Sequence, residues 1–127
     1  MSKIVGICKE VLDRAEWIAI ATTGADGPHV VATWGDYVRT LGLTDDEILI
    51  PVGSMHKTQA NLAKDSRVEL LGASRQVRGT HGPGKGCGIL GTAAIQTTGV
   101  KFDATKAKFP WARAVLVVKV ETVTEQL

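Results

Sequence analysis

Trp17-Ile-Ala-Ile-Ala-Thr-Thr-Gly-Ala-Asp-Gly-Pro-His-Val-Val-Ala-Thr-Trp34 is the stretch that decides the fold. Residues 17–22 read as a strand and residues 29–34 as the strand that returns. Between them Gly24-Ala-Asp-Gly-Pro is a tight-turn signal, with Asp26-Gly27 supplying the position of positive φ. A hairpin commits neighbouring strands to antiparallel pairing and argues against alternating βαβ units. The second strand is predicted to continue through Tyr37, Val38 and Arg39, beside the later strand Glu47–Val52.

The same reading extends in both directions. Residues 3–15 place Ile4, Ile7, Cys8, Val11, Leu12 and Ala15 at helical spacing, so an amphipathic N-terminal helix is expected. A polar turn at Thr44-Asp45-Asp46 leads into strand Glu47–Val52, and a short helix is predicted near residues 58–64. Residues 67–71 read as a strand. The glycine density of residues 79–88 supports no regular element and suits either a loop over a ligand or a long irregular connection. A strand resumes over residues 87–97. Residues 101–108 look helical, with Phe102 and Phe109 inward and Pro110 as the stop. The continuous apolar run in residues 113–121 predicts a strand that is central or at a subunit interface. Hairpin-linked strands with three small helices predict one α+β domain over residues 1–127, built as an antiparallel β-barrel with short flanking helices.

Composition narrows the function. The 127 residues are 44% hydrophobic and 22% charged, as in a globular, soluble protein. A net charge of +2 with scattered basic residues argues against a polynucleotide-binding surface. Cys8 and Cys87 lie far apart and read as free thiols. The N-terminal apolar run is too short for a signal peptide or membrane span, which makes the cytoplasm the default location.

Chemistry concentrates in Pro51-Val-Gly-Ser-Met-His-Lys-Thr58, where a strand passes through small residues into a helix. Free N–H groups at a helix start, the helix dipole, Lys57 and the Ser54 and Thr58 hydroxyls suit a phosphate, and Gly53 permits close backbone approach. A capped helix with a solvated lysine explains the same residues. His29, His56 and His81 fall in separate segments and flank no recognisable nucleophile, so no catalytic residue is assigned. His29 reads as a solvated turn residue, and His56 as an anion neighbour or part of the helix start. Three of six aromatic residues are tryptophans. Trp34 with Tyr37, and Trp111, are candidate walls for a planar ring, although each alone also fits a core role; Trp17 is assigned to the core.

Residues 20–29, Thr33-Trp34, residues 51–61, Gly82-Pro-Gly-Lys-Gly86 and Trp111-Ala-Arg-Ala114 strongly resemble the small FMN-binding proteins of the pyridoxamine-phosphate-oxidase-like split-barrel flavoprotein family. The resemblance runs in order across nearly the whole chain. It implies a homodimeric split barrel of Greek-key type with one FMN per chain near the subunit interface. It implies that Lys57 and Thr58 hold the phosphate, with Thr33 nearby. Pro51, Val52, Gly53 and Ser54 would line the flavin, and Trp34, Tyr37 and Trp111 would surround its ring. Departures are Ser54 in place of an expected second glycine, Ala32 in place of asparagine, and Ala15 where an acidic residue is expected beside Glu16. The implied function is flavin-dependent redox chemistry or electron transfer with an unknown redox partner. The alternatives are a flavin-storage module, or an oxidase of a phosphorylated substrate using a second anion site at Arg75, Arg78 and Lys85.

Overall fold

A computed structural model describes residues 3–127 of the chain. Six strands, β1 (Trp17–Gly24), β2 (Gly27–Trp34), β3 (Glu47–Val52), β4 (Arg67–Arg78), β5 (Pro83–Gln96) and β6 (Ala114–Gln126), form one sheet in the order β2-β1-β4-β5-β6-β3. Every neighbouring pair is antiparallel. The predicted hairpin is present, with Trp17 opposite Trp34 and Gly24 opposite Gly27. Strands β4, β5 and β6 follow as a meander, and β3 lies against the far side of β6, which is Greek-key order.

Four helices accompany the sheet: α1 (Gly6–Arg14), α2 (Gly35–Leu41), α3 (His56–Lys64) and α4 (Val100–Lys108). Helix α1 buries Cys8, Val11 and Leu12 on one stripe against a core that includes Ile18, Ile20, Ile48, Ile50, Leu70, Ile89 and Leu116. It starts later than the apolar spacing predicts. The N–H of Ile4 is committed to Asp45 O at 2.8 Å, and Gly6 turns the chain at φ +58°. β6 is sandwiched between β5 and β3 and buries most of residues 114–120, as its continuous apolar run requires.

Two predicted elements differ. Residues 37–39 belong to α2, not to a continued strand. Gly35 donates to Glu16 O at 2.8 Å, and a Cβ at Gly35 would stand only 1.9 Å from Ala15 O. Arg39 then fixes the helix by donating to the carbonyls of Leu12 (3.1 Å) and Ala15 (2.9 Å). β2 therefore does not pair with β3; they are the two opposite edges of the sheet. The glycine-rich stretch is largely strand, since β4 runs to Arg78 and β5 begins at Pro83. A Cβ at Gly86 would meet Gln126 Cβ at 3.2 Å, so this glycine lets β6 approach β5, while one at Gly88 would meet the Gln126 side-chain amide at 2.8 Å.

Candidate functional site

The sheet curls until its unpaired edges β2 and β3 face each other across a groove of about 300 Å³. Val31, Ala32, Thr33 and Trp34 line one side, Pro51, Gly53, Ser54 and Met55 the other, and Tyr37 and Trp111 complete it. This split between edges is where β2 and β3 meet in space without pairing.

Helix α2 and the turn after α4 supply the aromatic wall. Tyr37, Phe109 and Trp111 form a triangle with ring centroids 5.0–5.6 Å apart, all mutually tilted. Tilted rings at that spacing attract through edge and face, which holds Trp111 in place. Trp111 still leaves about half its surface exposed (50%), as does Trp34 (53%). A Cβ on Gly53 would lie 3.3 Å from the Trp111 ring, so the absence of a side chain there preserves the groove. Arg113 clamps the turn leading to α3: its Nε donates to Gly53 O at 3.2 Å and its Nη2 to Ser54 O.

Beyond Met55 the groove gives way to the start of α3. Met55 is the N-cap in the left-handed region (φ +58°, ψ +37°), and no side chain caps the helix. The first N–H groups of a helix have no acceptor within it, so this end presents free donors. Thr58 is wholly buried, and its Oγ1 finds no hydrogen-bond partner among the described residues. Lys57 is exposed and pairs with Asp26 at 3.0 Å. His56 is exposed at the first helical position.

The structure thus gathers Thr33, Trp34, Tyr37, Pro51, Gly53, Ser54 and Trp111 around one groove. Val52 turns into the core and meets the site through its backbone, where its carbonyl accepts the Arg113 N–H at 2.9 Å. Lys57 and Thr58 stand past the groove on α3. Trp17 is not core: it is half-exposed beside Trp34 on the outer sheet face. His29 is half-buried on β2 and not in the turn. Sequence reasoning did not assign Val31, Ala32, Met55, Phe109 or Arg113 to the site. The position of Phe109 beside Trp111, and of Arg113 two residues later, is the only signal that could have found the last two.

A larger cavity, about 550 Å³, lies elsewhere, bounded by Ser74, Arg75, His81, Lys85 and Leu127. It shares no residue with the groove. Lys85 is buried there but already paired, to Glu125 at 3.3 Å and Thr80 at 3.2 Å. Of the suggested Arg75, Arg78 and Lys85 group, Arg75 and Lys85 line this cavity, away from the groove, and Arg78 does not. Cys8 and Cys87 are free and buried, and burial, followed by the nearby Cys8 thiol, pushes the Cys87 thiol above its ordinary pKa. Burial keeps both thiols away from solvent reagents. Among the described residues no group of three or more potential ligands is placed to hold a metal, and no helix is long and apolar enough to cross a membrane.

An antiparallel barrel, split between two sheet edges and walled by aromatics at the split, defines a class of fold with its site at the opening. The chain belongs to the pyridoxamine 5'-phosphate oxidase family, whose sequence profile matches residues 6–127. It is 48% identical over 118 residues to the FMN-binding protein of Nitratidesulfovibrio vulgaris (strain DSM 19637 / Miyazaki F), a match that covers 93% of this chain and 94% of the relative. Its fold matches the crystal structure of HupZ from Group A Streptococcus with a TM-score of 0.77 at 22% identity, covering 97% and 99% of the two chains. A candidate pyridoxamine 5'-phosphate oxidase from Lactobacillus delbrueckii matches with a TM-score of 0.69 at 20% identity, covering 98% and 99%.

Proposed function

We propose that the chain is an FMN-binding flavoprotein acting in electron transfer or flavin-dependent redox chemistry. The observation that carries the reading is Thr58: a buried hydroxyl without a partner among the described residues, at an uncapped helix start, next to a groove with aromatic walls. Buried polar groups are almost always paired, so an unpaired one beside this groove is consistent with a ligand atom as its partner. A phosphate at the start of α3 would satisfy Thr58 Oγ1 and the free N–H groups and would be drawn by Lys57. The ring system would lie in the groove against Trp34, Tyr37 and Trp111, with Thr33, Pro51, Val52, Gly53 and Ser54 beside it. The close relative named as an FMN-binding protein supports the same cofactor.

FMN, when bound, supplies the redox chemistry; the protein binds, orients and electronically tunes it. Tyr37 and Phe109 brace Trp111, Arg113 sets the path of Gly53 and Ser54, and α3 anchors the phosphate. Among the residues lining the groove Tyr37 is the ionisable side chain, with no histidine, carboxylate or lysine beside it, which favours an electron carrier over a substrate-specific oxidase.

A second copy of the chain is proposed to cover the outer face of β2-β1-β4-β5. There Trp17, Val30, Trp34, Leu71 and Leu90 are exposed, and the register sets Ala19 between Ala32 and Leu71. This face is continuous with the groove through Ala32 and Trp34.

Lys57→Ala tests the phosphate assignment. FMN should bind about ten- to a hundredfold more weakly, as for loss of a charge-assisted contact, with riboflavin little affected. Equal losses for both flavins in equilibrium titrations would place the lysine away from the phosphate.

A further inference from the structure

The tip of the β1–β2 hairpin is seated on α3, the helix assigned above to the phosphate. Gly24 approaches so closely that a Cβ would fall 2.6 Å from Asn61 Oδ1. Asn61 Nδ2 donates to Thr22 Oγ1 at 3.1 Å in a buried contact. One helical turn earlier, on the same face of α3, Lys57 Nζ donates to Asp26 Oδ2 at 3.0 Å. Asp26 is therefore not a passing surface partner. The turn that carries it is fixed to the helix by a buried hydrogen bond and a close backbone contact.

We propose that Asp26 is a built-in competitor for the phosphate site, occupying Lys57 when no anion is bound and weakening FMN relative to riboflavin. The inference rests on the flavin reading above. Lys57 is the cation at the uncapped start of α3, and its ammonium is directed to a carboxylate that the hairpin holds in place. A phosphate monoester carries about −1.5 to −2 charge at neutral pH, so it must draw Lys57 from Asp26 and tolerate that carboxylate nearby. Lys57 holds the Asp26 carboxyl below the usual carboxylate range, so the competitor is fully charged at neutral pH. Asp26 is a specificity-determining residue that need never touch the ring. Its effect is confined to ligands bearing a phosphate.

The experiment is a double-mutant cycle of Asp26→Asn and Lys57→Ala, read as Kd for FMN and for riboflavin from quenching of flavin fluorescence. Asn-Gly suits the turn as well as Asp-Gly does, so Asp26→Asn keeps the hairpin. Exposed ion pairs of this kind are modest, so Asp26→Asn should tighten FMN about two- to fivefold and leave riboflavin unchanged. The gain should shrink in the Lys57→Ala background to what direct repulsion by Asp26 contributes, and fall with added salt. Unchanged or weaker FMN binding by Asp26→Asn would overturn the proposal, as would a gain that persists in full without Lys57. Failure of the unsubstituted protein to bind FMN would instead overturn the flavin reading and this proposal with it.

Discussion

Thr58 is fully buried, and its hydroxyl has no hydrogen-bond partner among the described residues. Such a group costs the ligand-free protein about 1–3 kcal/mol, and valine has the same shape without the cost. Thr58→Val should therefore raise the stability of the ligand-free protein by about 1 kcal/mol while weakening FMN about three- to tenfold. Opposite signs in thermal denaturation and flavin titration are what a binding residue kept at the expense of stability would show. A destabilised variant with unchanged FMN affinity would return Thr58 to a structural role. At this scale the site was partly legible in the sequence. Pro51, Gly53 and the Thr33-Trp34 pair stand in contiguous motifs, where small residues and aromatics declare themselves. The Arg113 clamp was not legible, because its acceptors at Gly53 and Ser54 are 60 and 59 residues away. Nor was the left-handed Met55, where no glycine marks the turn.

Helix α3 is the element on which the site turns, and its far end is fastened as firmly as its start is open. Arg67 at the beginning of β4 grips Asp65, with Nη2 at 2.8 Å from Oδ2 and Nε at 3.1 Å from Oδ1, while its backbone N–H donates to Oδ1 at 3.1 Å. The guanidinium, and next the backbone N–H, lower the Asp65 carboxyl from 3.8 to about 2. A folded pKa below the unfolded one contributes stability that is present above 3.8 and is lost as pH falls toward 2. Asp65→Asn should flatten the decline of the urea midpoint across that window; a decline parallel to that of the unsubstituted protein would show that the pair carries no stability. Strands and amphipathic helices were readable from alternation and helical spacing. Helix α2 was not, since its start is set by the near-contact of Gly35 with Ala15 O and by Arg39 bonds to α1. The strand character of Gly84, Gly86 and Gly88 was hidden for a similar reason. Gly86 is small because Gln126 lies close across the sheet, whereas Gly84 holds a positive φ (+110°) within the strand.

At the scale of the whole molecule, one curled sheet has two uses. Its concave side packs the core under α1, and its unpaired edges open the groove between β2 and β3. Its outer face places Trp17 beside Trp34 and leaves Leu71 and Leu90 exposed, a grouping of large apolar side chains of the kind that marks interaction surfaces. Leu71→Lys at the centre of that face should convert a dimer to monomer in light scattering; a monomeric unsubstituted protein would remove the proposed interface. Because Ala32 and Trp34 belong to both the face and the groove, loss of the dimer should also weaken flavin binding. The central claim is that the groove and the start of α3 form one FMN site. Its most direct test is an equilibrium titration of the flavin-free protein with FMN and riboflavin in parallel. The account predicts one FMN per chain with quenched flavin emission, held about ten- to a hundredfold more tightly than riboflavin. Equal affinity for the two, or no saturable binding of either, would contradict it.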